Sequence, residues 1–203
     1  MKFRVGAILA AVAMFVAASP TYAQGVIVGA KVGVNFASAS VSDEEEEEFS
    51  TNKTGFVAGG FIDVPVAPQF SFAPEVLFSQ KGNRLEDGNN FISVNLTQVQ
   101  VPVLFKANFS GGSVRPFVVA GPAFGFTASA KTKFDFDGDA GEEDVKDTVE
   151  PVEFSLVFGG GVKFGQASLE VRYDLGLNDL SKDDDDEVKT RTWSILFGFG
   201  FGK

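Results

Sequence analysis

The stretch Thr192-Trp-Ser-Ile-Leu-Phe-Gly-Phe-Gly-Phe-Gly202 sets Trp193, Ile195, Phe197, Phe199 and Phe201 on alternate positions, with Thr192, Ser194, Leu196 and the glycines Gly198, Gly200 and Gly202 between them. Side chains of an extended chain point to opposite faces with a period of two. The segment therefore reads as a strand with one bulky apolar face and one face of small groups. A helix would scatter the five rings and branched chains around its circumference.

The same partition recurs upstream. In Leu169-Glu-Val-Arg-Tyr-Asp-Leu-Gly-Leu177, the residues Leu169, Val171, Tyr173, Leu175 and Leu177 share one side and Glu170, Arg172, Asp174 and Gly176 the other. Near the start, Val28, Ala30, Val32, Val34 and Phe36 oppose Gly29, Lys31, Gly33 and Asn35; Phe154, Leu156, Phe158, Val162 and Phe164 oppose Glu153, Ser155, Gly159, Gly161 and Lys163. Eight such stretches lie near residues 26–38, 54–65, 70–82, 94–109, 114–131, 149–164, 168–178 and 190–202. The second, interrupted by Gly59-Gly60, does not declare its phase. Pro74, Pro102, Pro116 and Pro122 fall inside these stretches, where bulges or strand ends are expected to absorb them.

The connectors alternate in length. Residues 66–69, 110–113 and 165–167 make short junctions, whereas residues 39–53, 84–93, 132–148 and 179–189 make long ones. Short turns at one end and long loops at the other are the pattern of outer-membrane barrels, with the turns in the periplasm. Volume decides which face is outside. About 15 of the 23 phenylalanines fall on the bulky face, and an eight-stranded barrel has an interior only about wide enough for its own side chains. The rings do not fit inside, so the bulky face is expected to meet lipid, with Trp193 and Tyr173 toward the membrane interfaces. The expected fold is all-β: an eight-stranded antiparallel up-and-down transmembrane β-barrel after a cleaved signal peptide. A soluble periplasmic lipocalin-like ligand-binding barrel, with its apolar face inside, is the contrasting arrangement.

Residues 1–23 have the form of that leader: Lys2 and Arg4, an apolar run, then small residues at Thr21 and Ala23 before Gln24. The run is shorter than the roughly 20 residues of a spanning helix. Residues 24–203 then form one barrel domain. The formal charge of −10 becomes −12 without Lys2 and Arg4, which opposes binding nucleic acid through its phosphates. The chain has no histidine and no cysteine. A Ser-His-Asp triad, a His-ligated zinc and a thiolate metal site are therefore excluded, and no enzyme activity, cofactor or catalytic residue is expected. Glu170 and Asp174 are a carboxylate pair, but Arg172 lies between them on the same face, which favours a structural salt bridge over acid-base work.

The polar face supplies Lys31, Glu75, Lys81, Lys106, Glu153, Lys163, Glu170, Arg172 and Asp174, with the amides Gln98 and Gln100. Inside a narrow lumen each charge needs an opposite partner, so these residues are expected to plug the barrel as a polar network. The alternative is a narrow porin that passes small solutes or ions, since intramembrane ionisable groups mark conduction paths. The long loops hold 19 of the 27 acidic residues, at Asp43 with residues 44–48, at residues 135–150, and at residues 183–187. These read as solvated charge runs, or as weak divalent-cation binders bridging lipopolysaccharide phosphates. Asp135-Phe-Asp-Gly-Asp-Ala-Gly141 superficially resembles a calcium loop, but Ala140 stands where the sixth-position glycine belongs and Lys146 where the bidentate glutamate belongs, so no metal site is assigned.

Five segments in order, Gly29-Ala-Lys-Val-Gly-Val-Asn35, Pro74-Glu-Val-Leu-Phe-Ser-Gln-Lys-Gly82, Val101-Pro-Val-Leu-Phe-Lys106, Pro116-Phe-Val-Val-Ala-Gly-Pro122 and Glu170-Val-Arg-Tyr-Asp-Leu-Gly-Leu177, resemble the PorT-like outer-membrane β-barrel family. The resemblance implies a small eight-stranded porin-family barrel of a Gram-negative cell outer membrane, without catalytic residues to carry over. Its expected role is structural or interactive at the surface. Its expected partners are outer-membrane lipid, lipopolysaccharide and the barrel-assembly machinery; the sequence leaves the oligomeric state open.

Overall fold

The computed structural model describes residues 25–41, 50–87, 90–136, 139–179 and 188–201. The leader expected over residues 1–23 lies outside the described residues, as do the acidic runs at residues 43–48 and 183–187. Nine strands occur in chain order: β1 (Ile27–Val41), β2 (Ser50–Ala67), β3 (Phe70–Asp87), β4 (Asn90–Asn108), β5 (Val114–Phe136), β6 (Asp139–Asp144), β7 (Val152–Phe164), β8 (Ala167–Gly176) and β9 (Val188–Gly200). All pairings are antiparallel. Eight strands close a ring, because β1 pairs with both β2 and β9 while β4 pairs with β5. Closure leaves no edge and satisfies every strand's neighbours inside hydrocarbon.

Two of the four expected long loops are largely strand. β3 continues to Asp87 and β4 begins at Asn90, so residues 84–93 are largely a prolonged hairpin. Within residues 132–148, β5 continues to Phe136 and β6 pairs back along it, Lys131 opposite Asp144 and Phe136 opposite Asp139. Lys131 opposite Asp144 makes this extension favourable; the described residues of the calcium-like segment are thus paired strand. A short 3-10 turn (Lys146–Thr148) precedes β7, and Val145 and Val149 pack on buried Leu96 and Ala130.

The bulky face is outside. Twelve phenylalanines stand exposed with Trp193 (55 %), Ile195, Leu169 and a set of valines, whereas β8 and β9 turn Glu170, Arg172, Asp174, Thr192, Ser194 and Leu196 inward. Rings cluster at two levels. Phe70 stacks on Phe105 and Phe199 meets Phe201, both at 5.5 Å, near the short turns; Tyr173 meets Trp193 at 4.9 Å and Phe56 meets Phe78 at 5.6 Å nearer the long loops. Val32, Val118, Val171 and Ile195 occupy the band between. Aromatic girdles around an aliphatic belt suit the two interfaces and the core of a bilayer. An apolar exterior of this extent rules out the soluble lipocalin-like arrangement.

The prolines are accommodated without the expected bulges. The β3–β4 ladder skips Glu75 and Val76 opposite Val101 and Pro102, then resumes in the same register; the β4–β5 ladder does the same at Val103 and Leu104 opposite Pro122. Each proline withholds one donor, and the strand passes on. Register shifts fall elsewhere, between Asn52 and Val57, between Pro65 and Ala67, and at Thr97/Gln98. The β7–β8 turn needs Gly165, whose φ of +61° lies in the left-handed region.

Inward glycines have a separate cause. A small barrel curves so tightly that neighbouring strands crowd on the inner side. A Cβ on Gly33 would lie 2.1 Å from the backbone oxygen of Ile195. Gly33→Ala is expected to destabilise the barrel by about 1–3 kcal/mol through overpacking, read as a lower urea midpoint in lipid vesicles; an unchanged midpoint contradicts the crowding.

Candidate functional site in the barrel lumen

Strand parity aims the charged side chains at one another across the barrel. Lys31 of β1, Glu75 of β3, and Glu170 and Arg172 of β8 form a closed quartet. Lys31 Nζ lies 2.7 Å from Glu75 Oε1 and 2.8 Å from Glu170 Oε2. Arg172 donates through Nη1 and Nη2 to the two oxygens of Glu75, each at 2.7 Å, and through Nε to Glu170. β3 and β8 are four strands apart in a ring of eight, so the forked Arg172–Glu75 contact spans the lumen. Two cations against two carboxylates leave the quartet neutral, as a desolvated cluster must nearly be.

Toward the long loops a second group bridges the same walls. Lys81 Nζ lies 3.3 Å from both Glu153 Oε2 and Asp174 Oδ2. Gln100 donates to Asp174 and Thr190 to Glu153. Asn35 joins Ser79 at 2.9 Å and accepts from Ser194 at 2.8 Å. Toward the short turns, Lys106 meets Asp63 at 2.9 Å and sits 4.3 Å from the centre of the Phe117 ring.

Eight of the nine residues expected to form the polar network therefore take ion pairs: Lys31, Glu75, Lys81, Lys106, Glu153, Glu170, Arg172 and Asp174. Lys163 differs. It is half-buried at the short-turn end of β7 and makes no ion pair among the described residues. Glu170 and Asp174 do not act as a couple; each belongs to a different cluster, with Arg172 committed to Glu170 and Glu75.

Sequence reasoning missed Asp63, because the Gly59-Gly60 pair obscured the phase of β2. Counting by twos from buried Val57 through Phe61 would have reached it. It also missed the apolar part of the lumen. Leu104, Phe117 (3 % exposed), Val119 and Val157 form one buried cluster with Ala73 and Ala123, and Val57, Leu77 and Leu196 another. These fill the space between ionic layers, so the interior is a packed core rather than glycine and ions alone. Among the described residues lie two cavities of about 20 Å³, one beside Arg172, Asp174 and Thr192 and one beside Lys31, Asp63 and Glu170. Each is the size of about one water molecule. The second Asp174 oxygen and the Thr192 hydroxyl have no protein partner, and both residues line the first cavity. Among the described residues no cluster of three His, Cys, Asp or Glu is placed to hold a metal.

No curated protein matches the chain. Among solved structures it is similar to Ail, the attachment invasion locus protein of Yersinia pestis, in complex with the heparin analogue sucrose octasulfate: 16 % identity over 87 % of this chain and 99 % of that one, TM-score 0.47. It is also similar to Neisserial surface protein A, at 13 % identity over 87 % of this chain and 99 % of that one, TM-score 0.48. A third is the outer membrane enzyme PagL, at 14 % identity over 86 % and 99 % of the two chains, TM-score 0.44. The family model described as outer membrane protein beta-barrel domain matches residues 22–182. That match spans most of the chain and agrees with the closed ring of strands described above, and the chain belongs to the outer membrane protein beta-barrel domain family, resident in the outer membrane.

Proposed function

We propose that this protein is a closed outer-membrane barrel with a structural or surface-interaction role, its lumen plugged by polar and charged side chains. The observation that carries the reading is the Lys31–Glu75–Arg172–Glu170 quartet, which ties opposite walls together through contacts of 2.7–2.8 Å. Apolar clusters lie on both sides of it, and the cavities beside it among the described residues are each water-sized, which supports a plugged lumen. The absence of histidine supports a non-catalytic role. The five ordered segments quoted above support placement near PorT-like barrels. Lipopolysaccharide is the proposed outer partner, reached by the acidic loops through divalent cations, and the barrel-assembly machinery the proposed insertion partner of a chain exported by its leader.

Planar-bilayer recording tests the plug. The purified protein is expected to insert without steady conductance at neutral pH. Sustained openings whose size changes when Arg172 or Glu170 is neutralised would instead identify a narrow porin.

A further inference from the structure

The short-turn end of the lumen is electrostatically unlike the rest. Among the described residues its charged groups are Lys106 on β4, Arg115 on β5, Lys163 on β7 and Asp63 on β2, three cations to one carboxylate. Arg115 and Lys163 are direct cross-strand partners, one position inside the ends of β5 and β7. Both lie on the inner face: Arg115 is in phase with buried Phe117 and Val119, Lys163 with buried Val157 and Ser155. Asp63 is already committed to Lys106 at 2.9 Å. The next carboxylates deeper in the lumen, Glu75 and Glu170, are taken by Lys31 and Arg172.

Like charges placed opposite each other on antiparallel strands destabilise the pair, and partial burial of Lys163 removes water that would screen them. The layers above are neutral or carry one surplus carboxylate, so the excess positive charge is local to this mouth. On the other side of Lys163, its β8 register partner is Ser168, which lines the lower 20 Å³ cavity together with Lys106 and Asp63. A hydroxyl donor and three cations thus converge where the connections are shortest.

We propose that the periplasmic mouth of the barrel binds a small oxyanion, a phosphate or carboxylate, between Lys163 and Arg115, with Lys106 beside them and Ser168 as a hydroxyl donor. Bridging by an anion turns the Arg115–Lys163 repulsion into attraction. Arg115 is exposed and Lys163 half-buried, so a soluble anion reaches them from the periplasm; an anionic lipid headgroup at the rim offers the same chemistry to Arg115. This inference does not depend on whether the lumen above conducts.

The test uses the full chain refolded in neutral maltoside micelles, with urea unfolding followed by Trp193 fluorescence. Inorganic phosphate is expected to raise the midpoint saturably above sodium chloride of equal ionic strength. Lys163→Gln is expected to lose that response and, in chloride, to unfold no earlier than the wild type, because it removes a repelled charge. A phosphate effect no larger than that of chloride, in micelles and with no phosphatidylglycerol effect in the lipid arm, overturns the proposal. So does a lowered Lys163→Gln midpoint in chloride, which would make Lys163 a structural partner of Asp63. The lipid arm compares phosphatidylcholine vesicles with and without phosphatidylglycerol. A Lys163-dependent phosphatidylglycerol shift without a phosphate response assigns the site to the headgroup; a phosphate response alone assigns it to the soluble anion.

Discussion

Arg172→Met is expected to destabilise the folded barrel by about 3–5 kcal/mol, the cost of stranding buried charge. Arg172 holds both oxygens of Glu75 and one of Glu170, and these carboxylates are each about 1 % exposed. Without the guanidinium, Lys31 alone faces two carboxylates in a space with no room for bulk water. The loss corresponds to roughly two to four powers of ten in the folding equilibrium. Urea unfolding in lipid vesicles, read by heat-modifiable gel mobility, measures it. Arg172→Met with Glu75→Gln should recover more than half of the loss, since Lys31 and Glu170 then remain as a neutral pair. Lysine at position 172 should not substitute fully, because it cannot reproduce the forked contact to Glu75. A single variant as stable as the wild type would mean that the quartet is hydrated and contributes no lumen-wide bond.

Phe197→Arg is expected to impair insertion by about 2–4 kcal/mol, the cost of a cation on the lipid face near mid-membrane. Phe197 is 46 % exposed on β9, between the Phe199–Phe201 contact and the Tyr173–Trp193 pair, hence away from both interfaces. Its register partners are Val32 and Leu169, apolar residues that offer no counter-charge. The measurement is the folded fraction in phosphatidylcholine vesicles. Gln166→Arg, in the two-residue turn between β7 and β8, is the matched control and should fold normally. If both variants inserted equally well, the outward face would not be the one that meets hydrocarbon.

Much of this architecture was legible in the residues. Period-two alternation in segments such as Leu169 to Leu177 fixed which side chains share a face, and the number of phenylalanines fixed which face cannot be inside. Apart from Asp63, the ion-paired members of the network followed from parity. Partners did not, because Glu75 and Arg172 are 97 residues apart in sequence and meet only when the ring closes. Asp63 and the β5–β6 extension were hidden for local reasons: a Gly-Gly pair without phase, and an acidic run whose pairing to Lys131 and Lys133 depends on a turn the composition does not reveal.

The sequence by itself determined the number of strands in the closed ring, the facing of those whose alternation is unbroken and the solvent outside, because those depend on neighbours two positions apart and on summed side-chain volume. Only the tertiary structure decided which cation meets which carboxylate, and that Leu104, Leu196 and Phe117 share the lumen with them. Contacts across a barrel depend on the stagger between strands, which is set when β1 joins β9; no single strand carries that information.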